Sequence, residues 1–275
     1  MIKEYAKQMV SLLFLLSGIA LSSSAQKQQV WKPFYDKCRR EKSIIDAIPT
    51  ELEKALHWSP TINKEQKAVI RYILWNMIYV EGNSINMGEN NDVPVTVGSF
   101  FINRYEVSQD EWYVIMGNNP SNQHKRDFPV DQINWYDARR FTQRLSELSG
   151  LPFRLPFEAE WEYAARGGLN TKNFIYSGSN NPEQVAWFRE KYNNNYVSKE
   201  TGRKEPNELG LYDMSGNVYE WCMDWYDKKV PFTGNIDPDL GGKDMHKVLR
   251  GGSYYTIEKY CKITNRYGVN PQRWD

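Results

Sequence analysis

Apolar residues recur at helical spacing in several parts of the chain, and each part is bounded by residues that begin or end helices. In residues 51–57 and 65–75 this spacing predicts two helices. Asn63 stands just before the second helix, where its side chain is suited to cap the first backbone N–H groups. Both helices fall in residues 26–76, which are rich in Lys and Glu and poor in Gly. We interpret this part of the chain as a helical N-terminal extension packed on the main domain.

Two further helices are predicted in the main domain. Ser108 caps the first helix, with Glu111 reaching back to it, and Gly117 ends it. Asn134 caps the second helix and Gly150 ends it. The apolar residues of the second helix share one face, namely Ala138, Phe141, Leu145 and Leu148.

Short apolar runs broken by Gly, Asn and Pro begin at Met77, and this pattern is typical of strands and turns. Residues 77–88 predict two strands joined at a Glu-Gly pair, and residues 93–107 predict further strand and turn. The sequence VLRGGSYY, which starts at Val248, predicts another strand. There is no sequence repeat and no long linker, so residues 77–275 are expected to form one loop-rich domain.

Residues 207–226, NELGLYDMSGNVYEWCMDWY, fit neither the helical nor the strand period and predict a compact turn lined by aromatic residues. Asp213, Gly216, Val218 and Glu220 lie at positions i, i+3, i+5 and i+7. This spacing lets two carboxylates and two backbone carbonyls converge on one hard cation, which takes oxygen ligands. A glycine-rich turn with acidic residues on its surface explains the same spacing.

Residues 154–168, RLPFEAEWEYAARGG, predict a short helix that Pro156 opens and a glycine pair closes. Glu158, Glu160 and Glu162 are candidate catalytic carboxylates by residue type. Acidic residues near the start of a helix are also favoured by the helix dipole. We prefer this structural explanation for the three glutamates.

The N-terminus has the order of a secretory signal, with Lys3 and Lys7 before an apolar run and small residues up to Ala25. We expect residues 1–25 to be a cleaved signal peptide and the mature chain to be secreted or periplasmic. The apolar run is too short to predict a membrane span.

Basic and acidic residues are nearly balanced in number, with 35 Lys and Arg against 34 Asp and Glu. The two signs are interspersed along the chain, and a nucleic-acid partner is therefore not expected. The chain has three cysteines, Cys38, Cys222 and Cys261. In an oxidising compartment one pair is expected to form a disulfide, and Cys222 with Cys261 is the candidate pair because neighbouring aromatic residues would bury the bond.

Six motifs occur in a fixed order over about residues 77–271: INMG, YEVS, INWYDARRF, FRLPFEAEWEYAARGG, PNELGLYDMSGNVYEWCMDWY and VLRGGS. Together they resemble the sulfatase-modifying-factor family, the formylglycine-generating enzyme domain. The resemblance implies a single α+β domain related to the C-type lectin fold. It also implies structural calcium held by the side chains of Asp213 and Glu220 and by the backbone carbonyls of Gly216 and Val218. The sequence stops at Asp275, before the GFR strand that the family usually adds, so the resemblance does not decide how one sheet edge is completed.

Enzymes of this family oxidise a substrate cysteine to formylglycine with two cysteines that hold copper(I), in the pattern GSYxCxxxYC. Thiolates are soft ligands that suit copper(I). Here the stretch is GSYYTIEKYC, and read without gaps it places Thr256 at the first cysteine position and Cys261 at the second. Read backwards from Arg266 and Pro271, the segment is about three residues short, and Cys261 itself falls on a non-cysteine position. Either alignment loses the pair, while Ser253 is retained and Tyr219 replaces a tryptophan.

We therefore expect a non-catalytic binding or scaffold module, without copper, whose partner is a polypeptide or a glycan. Trp221, Trp225, Tyr254 and Tyr255 are candidates to line an aromatic groove, although core packing also explains each of them. The alternative is an active formylglycine-generating oxidase, in which Cys261 and the retained serine act as catalytic residues together with a relocated thiol.

Overall fold

The computed structural model describes residues 55–189, 196–227 and 245–273. Residues 1–25, most of the predicted N-terminal extension and Cys38 lie outside these ranges. The described helices are α1 (Lys64–Trp75), α2 (Gln109–Met116), α3 (Trp135–Ser149), α4 (Glu158–Ala165) and α5 (Pro182–Val185). The described strands are β1 (Met77–Val80), β2 (Asn83–Met87), β3 (Val93–Val97), β4 (Phe100–Asn103), β5 (Ala186–Trp187), β6 (Ser215–Gly216), β7 (Glu220–Trp225), β8 (Lys247–Arg250) and β9 (Tyr267–Val269).

Three of the predicted helices begin and end where the local sequence indicates. Asn63, Ser108 and Asn134 each accept a hydrogen bond from the backbone N–H three residues later, and that residue's side chain accepts one in return. Gly117 and Gly150 adopt left-handed backbone conformations that end α2 and α3. The predicted boundaries of α1, α2 and α3 are confirmed to within one residue.

Helix α1, the last part of the predicted N-terminal extension, packs into the core of the domain. Val69, Ile70, Ile73 and Leu74 are almost completely buried against apolar residues of α2 and α3. Burying these four side chains stabilises the domain by roughly 1.5–3 kcal/mol each.

No helix in the described residues is long and apolar enough to cross a membrane.

The predicted strands β1 and β2 are confirmed, but they pair with later strands and not with each other. β1 runs antiparallel to β4, with Met77 opposite Asn103. β2 runs antiparallel to β3, with Asn83 opposite Val97. Between them, a side chain at Gly82 would place its Cβ only 2.4 Å from the carbonyl oxygen of Val97, so glycine allows the two backbones to approach.

The second half of the predicted aromatic turn is a strand, β7, and this corrects the sequence prediction. β7 pairs antiparallel with β8, which also pairs with β9. Trp221, Cys222, Asp224 and Trp225 are all buried. Because both faces of β7 are covered, the strand lacks the alternation of polar and apolar residues that marks a half-exposed strand.

The glutamates of α4 form ion pairs that fix the helix on the rest of the domain. Glu162 and Arg250 are both fully buried and form an ion pair. Glu158, also fully buried, accepts two hydrogen bonds from Arg266, at 2.5 and 2.6 Å. Glu160 pairs with an arginine before the helix. The three glutamates are structural, as expected, but they are held by ion pairs that the helix-dipole explanation did not include.

Candidate functional site

The loop after β8 brings three of the predicted site residues together. The backbone at Gly252 has a φ of +79°, and a Cβ there would lie 2.8 Å from the Cys261 Sγ atom. Glycine at this position therefore lets the loop pass close to the thiol. Thr256 Oγ1 lies 3.9 Å from Cys261 Sγ. The same hydroxyl accepts a hydrogen bond from the Ser253 N–H and donates one to the Ser253 carbonyl, both at 3.0 Å.

Cys261 is a buried thiol. Its side chain is completely inaccessible to solvent. Burial raises its pKa to about 11, although hydrogen bonds from Thr256 and Ser253 favour the thiolate. The contact between Thr256 and Cys261 agrees with the alignment that has no gaps, in which a hydroxyl occupies the first cysteine position.

The disulfide expected between Cys222 and Cys261 is not formed, and this prediction is corrected. Both cysteines are free and buried. Cys222 lies on β7 in an apolar cluster that includes Trp161, whereas Cys261 lies in a separate cluster that includes Tyr176. The burial of each thiol in its own cluster is the physical reason that they do not meet. Burial also raises the pKa of Cys222 well above its ordinary value.

An open pocket with a volume of about 400 Å³ lies beside the loop after β8. We call it the tyrosine pocket, because Tyr219, Tyr254, Tyr255 and Tyr267 contribute to its walls. Asp131, Ser253 and Thr256 also line it. Tyr255 is 60% exposed, so the pocket is accessible from solvent on that side.

The two tryptophans expected in the aromatic groove belong to the core, and this corrects the prediction for them. Trp221 packs with Trp135 and Leu155. The Trp225 ring lies 3.7 Å from the ammonium group of Lys247, which is itself fully buried. Of the four aromatic residues predicted to line a groove, only the two tyrosines line the pocket.

Of the two carboxylates in the predicted calcium segment, Asp213 is buried and Glu220 is half-buried. Asp213 Oδ2 accepts a hydrogen bond of 2.6 Å from the Gly202 N–H, but its Oδ1 atom is buried without a partner in the described residues. Glu220 Oε2 accepts a hydrogen bond of 2.9 Å from Trp161 Nε1. Burial is the main cause that raises the pKa of Asp213 to about 6 and that of Glu220 to about 7.

Glu106 is a third buried carboxylate at this place, and the sequence did not indicate its role. Glu106 Oε1 accepts a hydrogen bond of 3.0 Å from the Val218 N–H, and Oε2 accepts one of 2.5 Å from Asn217 Nδ2. Its pKa is raised well above the usual value, first by burial and then by the charges of Asp213 and Glu220. The YEVS motif contains this glutamate, but only the folded chain brings it to residues more than a hundred positions away.

Asp213 and Glu220 carry oxygen ligands of the kind that a hard cation takes. Within the described ranges, no three His, Cys, Asp or Glu side chains lie close enough together to hold a metal ion by themselves. A calcium ion would therefore need the backbone carbonyls of Gly216 and Val218 as well as Asp213 and Glu220, and carbonyl oxygens are ordinary calcium ligands. The buried, unpartnered Asp213 Oδ1 is an oxygen atom that such an ion would satisfy.

Solved structures of other proteins share this fold. The structure of Treponema denticola variable protein 1 superposes with a TM-score of 0.60 at 29% identity, over 72% of this chain and 91% of that one. PvdO from Pseudomonas aeruginosa superposes with a TM-score of 0.58 at 22% identity, over 72% of this chain and 89% of that one. The predicted α+β fold class is confirmed by these similarities.

Sequence comparison gives relatives named as a chaperone protein, as formylglycine-generating enzymes and as serine/threonine-protein kinases. The chain is 35% identical over 201 residues to the chaperone protein LppX of Paenibacillus barcinonensis. The match covers 55% of this chain and 72% of LppX. It is also 33% identical over 153 residues to the formylglycine-generating enzyme of Streptomyces coelicolor. That match covers 51% of this chain but only 46% of the enzyme, so the chain spans less than half of the enzyme's length. Residues 66–274 match the model of the family described as the sulfatase-modifying factor enzyme 1-like domain. The chain therefore belongs to the sulfatase-modifying factor enzyme 1-like family.

Proposed function

We propose that this chain is a binding module of the family that does not carry out the copper-dependent oxidation, and that its ligand site is the tyrosine pocket. The observation that carries the proposal is the contact between Thr256 Oγ1 and Cys261 Sγ, at 3.9 Å. Two thiolates are needed to hold copper(I), because it prefers soft sulfur ligands. A threonine hydroxyl is a hard oxygen donor and forms no disulfide with a substrate.

The state of Cys261 supports the same proposal. Burial raises the pKa of the thiol to about 11, so without a metal ion the thiol is protonated at neutral pH. Its side chain is also inaccessible to solvent. A nucleophilic or metal-binding cysteine is normally partly exposed and has a lowered pKa.

The open tyrosine pocket supports a binding role. Tyrosine side chains offer large, rigid contact surfaces that also donate hydrogen bonds. A relative named as a chaperone protein, LppX, agrees with a function in binding. We propose a polypeptide or a glycan as the partner class, and a secreted or periplasmic location that follows from the signal peptide expected in residues 1–25.

We also propose a structural calcium ion between Asp213 and Glu220, held with the backbone carbonyls of Gly216 and Val218. Glu106 would then orient the backbone of the calcium segment through its hydrogen bond from the Val218 N–H. The role of the ion is to neutralise buried carboxylates and so to stabilise the fold.

The experiment that tests the binding-module proposal is a search for the aldehyde product. The protein is incubated with copper and a cysteine-containing sulfatase peptide, and the peptide is analysed by mass spectrometry. A formylglycine-generating enzyme, such as that of Streptomyces coelicolor, serves as the positive control. We expect no aldehyde above the level seen with copper alone, and aldehyde formation by this chain would establish the oxidase function instead.

A further inference from the structure

We infer that the tyrosine pocket takes an organic cation, an ammonium or guanidinium group carried on an apolar stem. This inference rests on the proposed binding function and adds the chemical class of the ligand. The residues that line the pocket include four tyrosines and one carboxylate, that of Asp131. None of the lining residues is basic. The inference is based on this combination.

The rings of the pocket are arranged at steep angles to each other. Tyr219 and Tyr267 have centroids 5.4 Å apart and an interplanar angle of 67°. Tyr254 and Tyr255 have centroids 6.5 Å apart and an interplanar angle of 87°. In each pair the edge of one ring meets the face of the other, so the pocket wall contains rings at different angles. Aromatic rings at different angles are the elements of the cages that hold ammonium groups. A sugar ring, in contrast, stacks best on one flat exposed face.

No cation among the described residues lies over any of these four rings. Elsewhere in the fold such pairs are common: Lys204 lies 4.2 Å from the Trp187 ring, and Arg266 lies 5.1 Å from the Tyr226 ring. In the part of the chain that the structure describes, no Lys or Arg lies over a ring of the tyrosine pocket. No described Lys or Arg therefore competes with a ligand for these rings, although Tyr255 also packs against Tyr196 and Tyr267 against Tyr260.

Asp131 gives the pocket a negative charge. Its Oδ1 atom accepts a hydrogen bond of 3.1 Å from the Asn122 N–H, which fixes the carboxylate in the wall. Asp131 forms no ion pair with any described residue. The carboxylate also acts on Tyr254, whose pKa is raised first by burial and then by the charge of Asp131. A carboxylate beside neutral tyrosine rings attracts a positive group and repels an anion.

The cation can come from two sources, a basic side chain of a polypeptide or a free small amine, and the experiment separates them. Binding to the protein is measured by saturation-transfer NMR and calorimetry with four probes. These are acetyl-Gly-Lys-Gly-amide, the same peptide acetylated on the lysine amine, choline, and its uncharged analogue 3,3-dimethylbutanol. Chitobiose is added as a glycan probe.

We expect the charged member of at least one probe pair to bind about tenfold more tightly than its uncharged partner, and its binding to weaken with added salt. Tighter binding of the lysine peptide than of choline assigns the site to a polypeptide, and the reverse assigns it to a small amine. Equal binding within both pairs, binding of chitobiose alone, or binding of none of the probes would overturn the inference. Binding of chitobiose alone would still leave the binding-module proposal in place, and the aldehyde assay tests that proposal separately.

Three variants locate the binding. Asp131→Asn keeps an oxygen that accepts from Asn122 but removes the charge, and we expect it to weaken binding about fivefold. Tyr255→Ala removes an exposed ring and is expected to have an effect of about two- to fivefold. Tyr79→Ala, which removes a 41% exposed ring on β1, is the matched control and is expected to change nothing. The salt dependence of the unaltered protein keeps the test valid if a variant fails to fold, and full binding by a folded Asp131→Asn protein would contradict the inference.

Discussion

Replacing Thr256 with cysteine should restore the missing thiol pair. The Thr256 Oγ1 atom lies 3.9 Å from Cys261 Sγ, so a cysteine there places its sulfur beside the existing thiol. Mild oxidation is then expected to form a disulfide across residues 256–261. The six-residue loop that this bond closes is short, and its chain-entropy contribution to stability is about 2 kcal/mol.

The substitution itself removes the two hydrogen bonds between the threonine hydroxyl and Ser253. Each such bond contributes about 1 kcal/mol, so the reduced variant is expected to be less stable than the unaltered protein. Comparing the oxidised and reduced forms of the same variant cancels this cost. A difference of about 2 kcal/mol corresponds to a melting temperature about 4–8 °C higher for the oxidised form.

The assay combines calorimetric melting curves with a count of free thiols under denaturing conditions. The oxidised Thr256→Cys protein is expected to have two fewer reactive thiols than the reduced form, and the reduced form to retain copper(I) against a chromogenic chelator. Thr256→Ser is the control, because it keeps the hydroxyl and adds no sulfur. If neither the thiol count nor the melting temperature changes on oxidation, Thr256 does not lie opposite Cys261. If the unaltered protein retains copper(I) equally well, the reasoning from the missing thiol is wrong.

Three further predictions concern the buried charges. A calcium chelator should lower the melting temperature of the unaltered protein, because it removes the ion from Asp213. The melting temperature of the Asp213→Ala variant should not change on adding the chelator. An equal effect on both proteins would contradict the calcium site. Arg250→Met should cost about 3 kcal/mol in urea unfolding, the low end of the range for breaking a buried ion pair, because it removes one of the two arginine partners of the buried Glu162 carboxylate and leaves Arg166. A loss below about 1 kcal/mol would show that the pair is not important for stability. Burial lowers the pKa of Lys247 to about 8, so between about pH 8 and pH 10 the unfolded chain holds a proton that the folded chain has released. The unaltered protein should therefore gain stability relative to Lys247→Met as the pH rises through that window, and parallel stability curves would refute the buried-lysine explanation.

The local sequence determined the helix boundaries and the immediate neighbourhood of Cys261. The caps at Asn63, Ser108 and Asn134 depend on hydrogen bonds that span only three residues, so they form wherever the chain turns into a helix. The distance between Thr256 and Cys261 is likewise set by a short turn, and for this reason the loss of the thiol pair was readable from the spacing.

The start of α4 shows how tertiary contacts replace a local signal. The residue at its N-cap position, Phe157, has no side chain that can accept a hydrogen bond from the first turn. Instead, the first helical N–H, that of Glu158, donates to Asp224 Oδ2 on β7 at 2.7 Å. The sequence predicted the helix from its pattern, but the group that caps it comes from a strand 66 positions further along.

The sequence by itself thus determined the family motifs, the caps and the chemistry available near residue 261. Only the tertiary structure decided that Trp221 and Trp225 belong to the core, and that Cys222 is buried apart from Cys261. It alone brought Glu106 into hydrogen bonds with residues 217 and 218. It also decided that four tyrosines and Asp131 share one pocket. The physical reason is that hydrogen bonds within a turn are fixed by neighbouring residues, whereas the burial and meeting of distant side chains depend on how the strands pair and how the helices pack on them.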